Sequence, residues 1–103
     1  MAGVKRGEVH LVALDPTIGS EIQKTRPCLI ISPDTMELRT VIIAPLTKGA
    51  HPAPFRISVK FQGKEGRILL DQIRCVDRSR LVKRLGILPM TRVLAVLRGM
   101  FEE

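Results

Sequence analysis

A few side chains in the first half of the chain carry chemistry that an apolar scaffold does not need. Arg26 stands at the mouth of a polar loop running from Asp15 to Thr25, immediately before Pro27. A guanidinium is planar, always charged and suited to gripping phosphate oxygens through paired donors. The proline beside it gives the backbone a fixed direction. An ion pair to Glu21 or Asp15 is the structural alternative for the same residue. Thr47 closes an apolar run in which a hydroxyl is conspicuous; its alternative is a turn hydroxyl bonded to backbone near Gly49. Lys48 follows directly, either holding an anion electrostatically or simply solvated. Glu21 could accept a proton or orient Arg26, or stand as a loop carboxylate at the surface. His51 is a general base by residue type alone. Cys28 and Cys75 lie 47 residues apart with no C-x-x-C or Cys/His cluster, so no metal site is expected.

The elements that must position these groups are short strands. Val9 to Leu14 is apolar on both faces, opened by Gly7 and closed by Asp15-Pro16. A second strand runs from about Arg26 to Ile31, with Pro27 at its beginning or on an edge. A third, β-branched strand spans Thr40 to Leu46 and is ended by Pro45 and Thr47-Lys48-Gly49. Phe55 to Phe61 alternates cleanly, with Phe55, Ile57, Val59 and Phe61 on one face. Residues 62–66 read as the turn of a hairpin, and the next strand as Arg67 to Val76. Asp77 is placed to N-cap a short helical turn, and Leu81 to Leu88 holds one more strand. Pro89 then opens a helix whose stripe is Met90, Val93, Leu94, Leu97, Met100 and Phe101. Several strands followed by one helix make a mostly β, α+β or barrel-like fold.

The totals fit a small globular protein. The 103 residues make one domain, 1–103, with 45% apolar content, three Phe and neither Trp nor Tyr. So few aromatics argue against extensive base stacking. The net charge of +7 is unevenly distributed. Five Lys/Arg balance five Asp/Glu up to Thr47, whereas residues 48–98 carry twelve Lys/Arg against three acids. That footprint attracts phosphate backbones or acidic protein tails without choosing between them, and a solvated basic face is the third possibility. The two cysteines sit in apolar runs and read as small buried hydrophobes. No segment is apolar enough for a signal or a membrane span, so a reducing cytoplasm is the expected setting.

Three blocks, in order, bring these residues together. Residues 6–33 read R-G-E-V-H-L-V-A-L-D-P-T-I-G-S-E-I-Q-K-T-R-P-C-L-I-I-S-P; residues 41–47 read V-I-I-A-P-L-T; residues 69–81 read L-L-D-Q-I-R-C-V-D-R-S-R-L. Together they resemble the MazF/PemK toxins of bacterial toxin–antitoxin pairs across nearly the whole chain. The resemblance implies an SH3-like barrel with helical additions, working as a homodimer. It implies a metal-independent, cofactor-free endoribonuclease that cuts single-stranded mRNA by attack of the ribose 2′-oxygen. The ends left are a 2′,3′-cyclic phosphate and a 5′-hydroxyl, and a cognate antitoxin with an acidic, otherwise disordered segment neutralises the activity.

Carried over position by position, the resemblance makes Arg26 and Thr47 catalytic. It places Ser20, Glu21, Lys48, Asp71, Gln72 and Arg74 along the RNA. Where some PemK-type members carry a histidine this chain has Ser20, which is no comparable base at neutral pH. Arg78 and Arg80 are further backbone contacts by type, His10 reads as packing or interface, and His51 receives no role. Two other readings keep the fold: a gyrase-poisoning toxin, whose C-terminal Trp this chain lacks, and a non-catalytic RNA-binding barrel.

Overall fold

The computed structural model describes residues 3–15, 18–19, 24–34, 39–49 and 51–102. Seven strands, β1 (Glu8–Ala13), β2 (Thr25–Ile30), β3 (Thr40–Thr47), β4 (Arg56–Phe61), β5 (Lys64–Leu69), β6 (Arg74–Asp77) and β7 (Leu81–Ile87), precede one helix, α1 (Thr91–Phe101). They form one antiparallel sheet in the order β4-β5-β3-β2-β1-β7, with β6 on the first half of β3. The sheet curls into a half-barrel. A Cβ on Gly86 in β7 would meet the Phe61 ring of β4 at 3.0 Å. The Gln62 side chain donates to the Leu85 carbonyl at 3.1 Å. These contacts draw the two outer strands together.

The apolar doubling of β1, β2 and β3 has a direct cause: each has a core on both faces. Val9, Leu29, Ala44 and Leu46 join Ile57, Ile68 and Leu70 in one cluster, which Val93 and Leu97 of α1 cover. Val12, Leu14, Cys28, Ile30, Val41 and Ile43 form the other, on the opposite side of the sheet. Burying each such Leu or Ile contributes about 1.5–3 kcal/mol, so these three strands anchor the fold.

Several expectations are corrected. Pro45 does not end the third strand; it is buried within β3, opposite Cys28. The expected 67–76 strand is two strands broken by a 3-10 turn at Leu70–Gln72, because β3 changes partner from β6 to β5 along its length. The hairpin turn is only Gln62-Gly63, both at positive φ (51° and 75°), the two-residue geometry that matches strand twist. The helix starts at Thr91 rather than Pro89, and Phe101 at its end is exposed instead of completing the stripe. Asp77 does cap, accepting from the Ser79 amide at 2.8 Å. Cys28 is buried as expected, whereas Cys75, also expected to be buried, is exposed. Burial pushes the Cys28 thiol up to about 12 against the opposing pull of Arg74, so it is protonated and inert at neutral pH.

His10 is buried beside Glu8, its Nε2 lying 3.2 Å from Oε1, while Arg84 Nε donates to Oε2 at 3.0 Å. Burial would raise the Glu8 pKa, but the Lys5 amide, His10 and Arg84 outweigh it and hold it below its ordinary 4.5. A carboxyl lowered in the folded state stabilises fully above its unfolded pKa, and that stabilisation fades as pH falls through the lower, folded value. Glu8→Gln should therefore be less stable than wild type at pH 7 and lose less on acidification below about pH 4.5, read by thermal melts across pH 3–7.

Candidate active site

Two prolines open the site. Two backbone bonds fix the pairing: the Leu14 amide donates to the Lys24 carbonyl at 2.9 Å and the Ile31 amide to the Ile42 carbonyl at 2.8 Å. Antiparallel pairing alternates bonded and non-bonded pairs. Counting along β2 from these anchors, the backbone N of residue 27 faces β3. Counting along β3, that of residue 45 faces away from β2. Pro27 therefore has no donor to offer β3, and the β2–β3 ladder stops at the Cys28–Pro45 pair. Pro45's own missing donor falls where β3 passes from β6, paired through Ile43, to β5, paired from Leu46. Beyond that point the two strands part.

A cleft of about 460 Å³ fills the gap, with Arg26 and Pro27 on one wall and Leu46, Thr47 and Lys48 on the other. Extending the Cys28–Pro45 register by two residues sets Arg26 opposite Thr47, on the same face of the sheet. Val59 and Phe61 form an apolar flank, and Gln62 and Gly66 lie at the far end. Arg26 is exposed and Thr47 half-buried. A cation and a hydroxyl thus share an open, partly apolar cleft, an arrangement able to hold an anionic tetrahedral group.

The neck of the preceding loop is braced, which fixes where Arg26 leaves the sheet. Asp15 Oδ1 accepts from the Lys24 amide at 3.0 Å. Arg80 Nη1 donates to the Ala13 and Asp15 carbonyls at 3.1 and 2.7 Å. Asp15, an ion-pair candidate for Arg26 by sequence, is engaged in closing this neck.

Of the residues expected along the RNA, Lys48 joins Arg26 and Thr47 in the cleft. Ser20 and Glu21 lie outside the described residues. Asp71, Gln72 and Arg74 are not among the cleft's lining residues. Asp71 is gripped by Arg56 through two bonds, Nε–Oδ1 at 3.2 Å and Nη2–Oδ2 at 3.0 Å. Arg74 Nη1 donates to the Leu14 carbonyl at 3.4 Å. Arg80, expected on the backbone of a ligand, donates through Nη1 to the carbonyls of the loop's neck. Sequence reasoning missed Gly66, whose absent Cβ would stand 3.0 Å from the Thr47 carbonyl oxygen. A glycine within a strand marks close backbone approach, and that signal was present.

Residues 5–101 match the family of PemK-like, MazF-like toxins of type II toxin–antitoxin systems. The chain belongs to this toxin family. It is 36% identical over 101 residues to the endoribonuclease MazF of Staphylococcus epidermidis, covering 90% of this chain and 84% of that protein. It is 39% identical over 102 residues to the endoribonuclease PemK of Escherichia coli, covering 91% and 77%. Among solved structures, MazF of Deinococcus radiodurans superposes with a TM-score of 0.81 at 29% identity, covering 96% of this chain and 93% of that one. A MazE–MazF complex of the same organism gives 0.74 at 28% identity, covering 96% and 92%. The half-barrel with its C-terminal helix is therefore the MazF-like fold. Among the described residues no helix is long and apolar enough to cross a membrane.

Proposed function

We propose that the chain is a sequence-selective endoribonuclease toxin that cuts single-stranded RNA by internal transfer. The observation carrying this reading is the single cleft that Arg26, Thr47 and Lys48 line together. In the reaction the ribose 2′-oxygen attacks the adjacent phosphorus, and the P–O5′ bond breaks. The 2′-hydroxyl proton leaves, the 5′-oxygen takes one up, and the products are a 2′,3′-cyclic phosphate and a 5′-hydroxyl. The substrate carries its own nucleophile, so the protein's work is to hold the nucleotide in line and offset charge on the phosphorane. Arg26 stabilises the equatorial oxygens through paired donors. Thr47 fixes a non-bridging oxygen, and Lys48 adds charge at the cleft's rim. Ser20 and Glu21 are assigned to the RNA by their place in the family motif, and Asp71, Gln72 and Arg74 contact the strand beyond the cleft. Single strands leave base edges open to reading.

The toxin acts as a homodimer in the cytoplasm and is held inactive by an antitoxin whose acidic, disordered segment folds onto the basic face. Membership of a toxin–antitoxin family and the likeness to a MazF bound in a MazE–MazF complex support that partner.

Incubating the protein with a long single-stranded RNA in EDTA tests the reading. Cuts at a fixed short sequence, with 5′-hydroxyl ends that polynucleotide kinase labels without prior phosphatase treatment, are expected. Binding without cuts would leave an RNA-binding barrel; neither would leave the gyrase-directed alternative. The close approach of β5 makes a further prediction. Gly66→Val should destabilise the fold by about 1–3 kcal/mol, as overpacking does. It should also lower cleavage by folded protein at least about tenfold, because displaced reactive groups lose rate steeply. Denaturant melts and single-turnover rates read the two effects separately.

A further inference from the structure

The candidate cleft continues past Gly66. A second groove of about 460 Å³ opens beside it on the β4–β5 hairpin, sharing Lys48, Val59, Glu65 and Gly66 with the first and adding Ser58, Lys60 and Arg67. Its polar character follows from strand alternation. Ile57, Val59 and Phe61 turn toward the core, which leaves Ser58 and Lys60 exposed on the opposite face.

Register ties this groove to the proposed reacting group. Arg67 pairs with Thr47 of β3 on one side and with Ser58 of β4 on the other. Directly opposed residues share a face, so Thr47, Arg67 and Ser58 form a row across three strands, about 4.8 Å per step. Arg67 Nη1 donates to Ser58 Oγ at 2.9 Å, which orients the guanidinium and leaves its other donors to a ligand. Lys48, Lys60 and Arg67 face a single acid, Glu65. Among the described residues neither Lys48 nor Lys60 is ion-paired.

We propose that this groove is a second phosphate subsite, in which Lys60 and Arg67 hold the backbone of the same RNA strand next to the reacting phosphodiester. The inference rests on the endoribonuclease reading and deepens it. The ligand is nucleic acid rather than an acidic peptide because the groove is continuous with the cleft through Lys48 and Gly66, and among the residues that line it Val59 is the one apolar side chain, beside three cations. A docking protein segment needs apolar pockets for its anchors. Lys60 and Arg67 act on phosphates alone, so they add affinity without sequence preference.

The test is binding of a 12-nucleotide RNA, 2′-deoxy at its cut site, by wild type, Lys60→Ala, Arg67→Ala and the double variant across a salt series. Each lost single-strand phosphate contact lowers the slope of log K against log salt by about 0.7, so the double variant should be shallower by about 1.4. Its affinity at low salt should fall about tenfold or more, while its rate on saturating long RNA stays near that of wild type. Arg67→Lys should recover most of the slope. Should Arg67→Ala fail to fold, the exposed Lys60→Ala alone must lose about 0.7. Unchanged slope and affinity in these variants overturn the subsite, and cleavage by wild type would then leave the endoribonuclease reading standing. If wild type cuts no RNA, that reading fails and the slopes alone judge the subsite. Loss of binding to a polyglutamate peptide with RNA binding intact assigns the groove to protein and overturns the proposal.

Discussion

Arg26→Ala should lower single-turnover cleavage of single-stranded RNA by about two orders of magnitude or more, the scale of losing one preorganised electrostatic stabiliser. The loss should fall on the rate at saturating RNA more than on affinity, because in the proposed reaction the guanidinium meets charge that develops in the phosphorane. Arg26→Lys recovers only part of it, since an ammonium supplies charge without the paired donors. The fold is not at stake: Arg26 is exposed, and the strand around it is anchored by Cys28, Leu29 and Ile30 at full burial. Near-normal cleavage by the folded alanine variant removes Arg26 from the chemistry.

Replacing the 2′-hydroxyl at the cut site by hydrogen should abolish the proposed reaction outright, the largest effect expected. Internal transfer has no other nucleophile, so the deoxy-substituted RNA binds and is not cut. Cleavage at that position in the modified RNA requires an external water and rules out 2′-oxygen attack. A single deoxy substitution elsewhere in the strand leaves the cut intact, which separates the chemical role of this hydroxyl from its part in recognition.

The strands and the helix were legible because alternation and helical spacing report burial directly. β4 is the clearest case: Ile57, Val59 and Phe61 pack inward and Ser58 and Lys60 do not. Arg26, Thr47 and Lys48 were legible as a group through the ordered motifs, and they line one cleft. What local sequence could not disclose is pairing. Pro45 reads as a strand terminator, yet its missing donor falls where β3 exchanges β6 for β5, a fact of long-range topology. The same exchange splits the 67–76 run, and it gives Arg67 and Ser58 their places in the row beside Thr47. Nothing in the neighbourhood of Asp71 announced Arg56, fifteen residues earlier, as its partner, because that contact depends on how β4 and the turn after β5 meet. Phe101 matched the helical stripe by spacing alone and lies beyond the surface that the sheet offers to α1.

The two prolines also explain why a cleft sits at this point of the sheet. A continuous β2–β3 ladder would close the space between Arg26 and Thr47 with backbone hydrogen bonds. Ending it at Cys28–Pro45 opens that space while the register still aims both side chains to one face.

The central claim is that Arg26 and Thr47 act on one phosphodiester, and a double-mutant cycle tests it most directly. Single-turnover kcat/KM would be measured for wild type, Arg26→Ala, Thr47→Val and the double variant on one short RNA with a single cut site. Groups serving the same phosphate are coupled, so the double variant should lose far less than the product of the two single losses. Losses that multiply, with each single variant still impaired, would place the two side chains on separate tasks and contradict the account.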